Sequence, residues 1–291
     1  MVRASRRRRR QGGRRLSDIF ESQQSDPDTL AAIYDLEHDP IREDLAFYRE
    51  MTARAGSAVI DLGCGSGRLF ASFVDGGAER IVGVDGSAAL LRRAEARIAA
   101  TPSLARAKAD GRIELVEGDV RHVVRPDRFD LAVLAGVLSH LDGPEEGLRA
   151  LSSARGLLAA GGMAIVDGLG PGELPTRDLP LSIDWRRTMD GRDVVRRSQL
   201  TRRETPEGLR VLFSTLVDLT GPDGTIARLP ASYRLWYPSP VRLLELVREA
   251  DLVVDMTYGS HDLEPLGPGS KRCIVVARGA DGDPQPRPRE G

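Results

Sequence analysis

Apolar and polar positions divide the chain into short apolar runs and longer amphipathic stretches. Apolar runs of strand length occur at 57–62, 81–85, 113–119, 129–135 and 163–167. Between them, apolar residues recur at helical spacing, as Leu90, Leu91, Ala94 and Ile98 do. Such an alternation of strands and helices with short connections predicts an α/β fold with a doubly wound, mostly parallel sheet.

This alternation stops after Pro171. Three stretches then alternate apolar and polar residues, at 193–203, 209–218 and 225–236. Turn-forming sequences separate them, which is typical of antiparallel hairpins. We therefore predict an antiparallel β insertion that covers one edge of the sheet. The α/β pattern resumes with a helix at 240–250 and strands at 252–258 and 273–277.

The chain is thus expected to consist of one core with several additions. The insertion falls between the fifth and sixth core strands. The expected segments are a disordered arginine-rich tail at 1–15, a helical cap at 16–56, a core at 57–170 plus 238–278, a substrate lid at 171–237 and a disordered tail at 279–291.

Charge and cysteine content restrict the class of protein. The 42 basic and 43 acidic residues leave a net charge of -1, so the overall charge does not indicate a nucleic-acid partner. Cys64 and Cys273 lie far apart without metal-ligand spacing, as expected of small buried residues in a reducing cytoplasm. No apolar run reaches the roughly 18 residues of a membrane span. We expect a cytoplasmic protein with no membrane partner.

The arginine-rich start at 1–15 has two interpretations. No apolar segment follows it, as a secretory signal would require. Such a tail could contact RNA or acidic lipid through its charge. A solvated extension is the simpler interpretation, so a nucleic-acid partner is not expected.

Candidate chemistry lies where the strands end. The first strand runs into a loop with glycine at every second position, Gly63, Gly65 and Gly67. Acidic residues occupy the ends of four strands: Asp61, Asp85, Asp119 and Asp167. In a doubly wound sheet, ligands bind beyond the carboxyl ends of the strands. A ligand that contains adenosine explains the acids, because a carboxylate accepts hydrogen bonds from ribose hydroxyls.

A dinucleotide is the first competing ligand. Asp85 follows the glycines by about 20 residues, the spacing that also serves NAD. However, Arg68 occupies the last glycine position of the dinucleotide fingerprint, and no second mononucleotide half is visible after residue 170. An NAD-dependent oxidoreductase is therefore the less favoured interpretation.

Four motifs in order resemble those of the class I S-adenosylmethionine-dependent methyltransferases. They occupy 59–69, 83–87, 118–120 and 129–131. The resemblance implies a Rossmann-like seven-stranded sheet whose last strand is antiparallel. It implies S-adenosyl-L-methionine as cofactor and S-adenosyl-L-homocysteine as product. The residues expected to contact the cofactor are Tyr34, Asp61, Gly63, Cys64, Gly65, Asp85, Gly86, Asp119, Val120, Ala135 and His140.

The resemblance also extends to a subgroup that acts on small molecules, similar in layout to glycine-type N-methyltransferases and enzymes of bacterial natural products. It implies methyl transfer to an N or O atom of a small-molecule acceptor. His140, beyond the fourth strand, is the expected general base, although at this position it could instead pack on the cofactor. Weaker candidates for acceptor contacts are Asp167, Arg234, Trp236 and His261. No histidine and carboxylate spacing indicates a metal.

Besides the NAD-dependent oxidoreductase, two alternatives remain open at this stage. One is a methyltransferase that acts on a modified peptide or on RNA recruited by the basic tail. The tetrad typical of base-modifying enzymes is absent, since the fourth strand is followed by Ala135, Gly136, Val137 and Leu138. Another is a cofactor-binding module without catalysis. A homodimer is possible in each case.

Overall fold

The computed structural model describes residues 26–279. Expectations for the tails and for the start of the helical cap, at 1–25 and 280–291, lie outside the described residues. Gly279, expected in the C-terminal tail, instead ends the last strand.

Within residues 26–279 the chain forms eleven strands and seven α-helices. The strands are β1 (Ala58–Leu62), β2 (Arg80–Asp85), β3 (Ile113–Glu117), β4 (Phe129–Ala135), β5 (Leu158–Leu169), β6 (Leu179–Met189), β7 (Arg192–Thr205), β8 (Gly208–Thr220), β9 (Ile226–Pro238), β10 (Leu252–Tyr258) and β11 (Arg272–Gly279). The helices are α1 (Pro27–His38), α2 (Leu45–Ala55), α3 (Phe70–Asp75), α4 (Ala88–Ala100), α5 (Pro102–Ala109), α6 (Pro144–Leu157) and α7 (Pro240–Glu249). A 3₁₀ turn occupies Leu138–His140.

The core sheet has seven strands in the order β10-β11-β5-β4-β1-β2-β3. Strands β1 to β5 pair in parallel, and β11 is antiparallel to both β5 and β10. The predicted doubly wound, mostly parallel sheet with an antiparallel last strand is confirmed. Because β1 to β5 share one direction, their carboxyl ends lie at one edge of the sheet.

Apolar side chains cover both faces of this sheet. Successive strand residues point to opposite faces, so β1 buries Val59 with α2 to α5 and Ile60 with α6 and α7. Helix α4 shows how sequence sets such an element. Ser87 caps its first turn by accepting from the Leu90 N–H, and its predicted apolar stripe is buried.

The insertion is a separate antiparallel sheet in the order β6-β7-β8-β9, here called the insertion sheet. The antiparallel insertion is confirmed, but it has four strands where the pattern predicted three. Strand β6 was missed although Leu179, Leu181 and Ile183 alternate with other residues. These three side chains stay substantially exposed at the sheet edge, so burial does not reinforce their pattern.

One face of the insertion sheet packs on α1. Val194, Val217 and Leu219 form an apolar cluster with Ile33 of the helix. On the opposite face, Arg197 and Arg228 both pair with Asp218. The insertion sheet therefore lies against α1, and α1 in turn contacts the glycine loop after β1, where the Tyr34 hydroxyl meets Gly65.

Candidate functional site

The loop after β1 depends on its glycines. Gly63, Gly65 and Gly67 have φ angles of 82°, 55° and 72°, a region open to glycine because it has no Cβ. The Gly63 N–H donates to the Val84 carbonyl at 2.7 Å, which fastens the loop to the end of β2. A Cβ on Gly63 would collide with Val137 after β4. The loop thus needs glycine for its backbone and for close approach.

Asp85 connects this loop to the start of α4. One carboxylate oxygen accepts the Gly65 N–H at 2.8 Å, and the other accepts the Ser87 N–H at 2.8 Å. Burial raises the pKa of Asp85, although the two backbone hydrogen bonds oppose this rise. Each oxygen retains a lone pair for a further donor.

Asp61 is the second buried carboxyl at this edge. It is 2% exposed. Burial and the nearby charge of Asp85 raise its pKa to about 7. Two neighbouring carboxyl groups held away from water favour a ligand that brings positive charge.

Asp119 is held by an arginine. Arg121 donates to both of its carboxylate oxygens and also pairs with Glu146 of α6. Burial pushes the pKa of Asp119 upward, but the hydrogen bonds and charge of Arg121 hold it below its ordinary value. The carboxylate therefore stays ionised and in a fixed orientation beyond β3.

The remaining predicted cofactor contacts flank these acids. Val120 is fully buried beside Asp119, and Cys64 is a buried free thiol inside the glycine loop. Gly86 lies in the turn between β2 and α4. Ala135 ends β4 and pairs in register with Asp167 of β5. All four lie at the strand edge that carries the acids.

Helix α1 brings an aromatic pair over the glycine loop. The Tyr34 ring stacks on His38, with centroids 3.9 Å apart and planes at 19°. The His38 Nδ1–H donates to the Tyr34 carbonyl at 2.8 Å, which fixes the imidazole. Burial and the charge of Asp85 raise the pKa of Tyr34 well above its usual range, so the phenol stays neutral.

His140 lies on the 3₁₀ turn beyond β4. Burial, with a smaller effect from the charge of His38, lowers its pKa to about 4. Burial also lowers the pKa of His38. Both imidazoles are therefore neutral near pH 7, the state in which a ring nitrogen accepts a proton.

The insertion sheet adds a polar wall on its α1 side. Arg196 pairs with Glu37 at 2.6 Å and with Asp184 at 2.8 Å. Its guanidinium also lies 5.2 Å from the centre of the Phe213 ring. Burial raises the pKa of Glu37, while Arg196 opposes the rise. Burial and the charge of Glu37 raise the pKa of Tyr233, on the same face.

Arg234 and Trp236 lie on the other face. Strand residues alternate between faces, so in β9 Tyr233 and Tyr237 face α1 and the carboxyl edge while Arg234 and Trp236 face away. Trp236 packs its benzo edge against Gly147 of α6. These two residues were expected among the acceptor contacts, and their side chains lie on the face of β9 opposite to Tyr233 and Tyr237.

Asp167 and His261 are brought together, but with structural partners. The buried Asp167 carboxylate accepts from Tyr48 Oη at 2.8 Å, from His261 Nε2 at 2.9 Å and from Arg272 Nε at 2.9 Å. Burial pushes the pKa of Asp167 upward, but these partners hold it below its ordinary value. The cluster joins α2, β5, β11 and the loop after β10.

Sequence reasoning missed several residues of this site: Glu37, His38, Arg196, Tyr233 and Tyr237. A signal existed for two of them. Tyr34, Glu37 and His38 are spaced i, i+3, i+4 on α1, so they share one helix face. The insertion residues gave no such signal, because their role depends on which face of the sheet packs on α1.

Among residues 26–279, no group of three or more histidine, cysteine and carboxylate side chains is arranged to hold a metal ion. No helix in the same range is long and apolar enough to cross a membrane.

Comparison with known proteins identifies part of the chain. Residues 59–162 match the family described as "Methyltransferase domain", so this segment is a methyltransferase domain. The chain is 31% identical over 104 residues to the mitochondrial ubiquinone biosynthesis O-methyltransferase of Schizosaccharomyces pombe. The aligned region covers 36% of each protein. The chain spans less than half the length of the curated relatives it matches.

Solved structures resemble the chain over most of its length. The CcbJ methyltransferase from Streptomyces caelestis has a TM-score of 0.67 at 21% identity, covering 92% of this chain and 97% of that chain. The sugar N-methyltransferase KedS8 from Streptoalloteichus sp. ATCC 53650 has a TM-score of 0.65 at 19% identity, covering 85% and 93%. At these identities the likeness shows the fold.

Proposed function

We propose that this protein is an S-adenosylmethionine-dependent methyltransferase that transfers a methyl group to an N or O atom of a small molecule. The observation that carries the proposal is the Asp85 carboxylate, which accepts the Gly65 N–H at 2.8 Å at the end of β2. This hydrogen bond places the glycine loop beside a carboxylate that can accept hydrogen bonds from ribose hydroxyls. The methyltransferase domain at 59–162 contains both.

The residues present fit this cofactor. S-adenosylmethionine carries a sulfonium and an amino group, and it supplies a methyl group already activated for transfer. Two buried carboxyl groups, Asp61 and Asp85, favour such positive charge. Asp85 would hold the ribose hydroxyls, and Asp119 with Val120 would hold the adenine. Gly63 and Gly65 would let the backbone approach the methionine part.

The chain's own contribution to the reaction is enclosure and orientation. Helix α1 and the insertion sheet cover the carboxyl edge, which excludes water and holds the acceptor close to the methyl donor. The neutral imidazole of His140 would take the proton released by a hydroxyl or ammonium acceptor. A base matters most for a hydroxyl, whose oxygen is a weak nucleophile while protonated.

A small polar acceptor, of the kind found in natural-product biosynthesis, fits the insertion wall best. Glu37, Arg196, Asp184 and Tyr233 offer charged and hydrogen-bonding groups beside an enclosed edge. Named relatives include both a sugar N-methyltransferase and an O-methyltransferase. Both support a small-molecule acceptor, and neither selects between N and O for this chain.

Methyl transfer itself is the direct test. We expect the purified full chain, given S-adenosylmethionine and a panel of amino sugars and hydroxylated aromatic compounds, to release S-adenosylhomocysteine only with a matching acceptor. Mass spectrometry should show one added methyl on that acceptor. Methylation of RNA, or binding of NADH in place of S-adenosylmethionine, would contradict the proposal.

Cofactor affinity should depend on pH through Asp61. Its pKa of about 7 in the free protein means that the carboxyl is largely protonated near pH 6. A cationic ligand favours the ionised form, so binding should release a proton and affinity should rise with pH, approaching tenfold per unit below the pKa. Calorimetry near pH 6 in buffers of different ionisation enthalpy measures that proton.

Asp61→Asn is the matched control for this linkage. It removes the titrating group but keeps the size of the side chain, so its weaker binding should release no proton. A wild-type chain that binds the cofactor without proton release near pH 6 would show that Asp61 does not meet the positive charge.

A further inference from the structure

A second candidate site lies on the insertion-sheet face turned away from α1. Arg203, Arg210 and Arg234 share this face at the end nearest α6, and we call the cavity beside them the arginine crevice. It has a volume of about 300 Å³, and Asp142, Leu212 and Trp236 also line it.

The register of the strands puts like charges together in this crevice. Arg203 of β7 is directly opposite Arg210 of β8, and Arg234 of β9 is opposite Leu212, one diagonal step from Arg210. Like charges at opposed positions of a sheet destabilise it. Arg210 reaches Asp142 at 3.3 Å, but that carboxylate is 77% exposed, so the pair compensates little. Neither Arg203 nor Arg234 has an ion pair with a residue that the structure describes.

The far end of the same face shows the compensated arrangement. There, Arg197 of β7 and Arg228 of β9 both pair with Asp218, which stands between them on β8. In the crevice, Arg210 occupies the position on β8, between β7 and β9, that Asp218 occupies at the far end. The same three-strand geometry therefore has an acid between two arginines at one end and a third arginine in that place at the other.

A buried donor gives an independent indication. The indole N–H of Trp236 is buried and has no acceptor within the part of the chain that the structure describes. Trp236 is 1% exposed and lines the crevice. A buried donor left unpaired is unfavourable. An acceptor bound in the crevice would therefore stabilise the indole N–H of Trp236 as well as the guanidinium groups.

We propose that the arginine crevice binds a phosphoryl group, as inorganic phosphate or as a phosphate monoester. Guanidinium groups match the oxygens of a tetrahedral oxyanion by paired N–H donors. Three of them, with one exposed acid nearby, suit a doubly charged anion better than a single carboxylate. The arginines lie on the face of the insertion sheet opposite to Arg196 and Tyr233, and this proposal does not rest on the proposed methyl transfer.

Matched substitutions on one face of the insertion sheet test the site. Arg234→Gln and Arg210→Gln remove crevice charges, whereas Arg228→Gln removes an arginine from the same face of β9 that is paired with Asp218. Inorganic phosphate at about 5 mM, against chloride of equal ionic strength, should raise the Tm of the wild type and of Arg228→Gln. Both crevice variants should lose that shift and bind phosphate at least tenfold more weakly by calorimetry.

The Tm without phosphate should distinguish the two kinds of variant. Arg210→Gln should melt no lower than the wild type because it relieves repulsion, and Arg228→Gln should melt lower because it breaks a pair. Phenyl phosphate binding more tightly than inorganic phosphate would identify a phosphate monoester as the natural ligand, and equal binding would identify the free ion. A phosphate shift that chloride reproduces, or that survives in both crevice variants, would overturn the proposal.

Discussion

Replacing Asp85 with alanine is expected to weaken S-adenosylmethionine binding by about 1.5–3 kcal/mol, the cost of losing charge-assisted hydrogen bonds. This corresponds to a roughly 10- to 150-fold higher Kd by calorimetry. Two losses combine, because Asp85 would hold the ribose hydroxyls and also accepts the Gly65 and Ser87 N–H groups. The variant would therefore lose the hydrogen bonds that hold the glycine loop as well as those to the ribose.

Asp130→Ala is a matched control. Asp130 also accepts two backbone N–H groups, from Ser57 at 2.9 Å and from Ala58 at 3.0 Å, but at the start of β1, the opposite edge of the sheet. Its loss should lower Tm and leave cofactor affinity near the wild-type value. If both variants bind the cofactor as the wild type does, the ribose assignment to Asp85 is wrong.

The second large effect is expected at His140. If its imidazole takes the acceptor's proton, His140→Ala should lower kcat by about 100-fold, the lower end of the usual contribution of a general base. Cofactor affinity should change little. Because burial holds the pKa of His140 near 4, the neutral form persists on acidification, and wild-type turnover should show no loss from this residue near pH 6.5.

His38→Ala separates the two buried histidines. His38 stacks on Tyr34 and influences the pKa of His140. Its loss should mainly disturb the α1 contact with the glycine loop, which raises the Kd for the cofactor more than it lowers kcat. The reverse pattern, with turnover lost in His38→Ala and retained in His140→Ala, would transfer the role of base to His38.

Local sequence patterns were sufficient to predict the strands of the core sheet. Apolar runs and helical periodicity predict each strand and its neighbouring helix, because burial of β1 to β5 on both faces leaves a continuous apolar signal. The same signal failed at β6, whose apolar residues are exposed at an edge. It also failed at α5, a helix of eight residues with two buried side chains.

The candidate site divides in a similar way. Asp61, Asp85 and the glycines follow directly from the ends of successive parallel strands, so chain order alone brings them to one edge. Glu37 and Arg196 are 159 residues apart in the chain, and only the packing of the insertion sheet on α1 joins them. Local patterns carry no information on such a contact.

Sequence by itself therefore determined the doubly wound sheet, the antiparallel insertion and the carboxyl edge where glycines and acids meet. Tertiary structure decided which face of β9 turns toward that edge, and so set Tyr233 apart from Arg234. It also decided that Asp167 accepts hydrogen bonds from Tyr48, His261 and Arg272. The reason is physical: strand alternation predicts two faces, but only packing against a second element chooses between them.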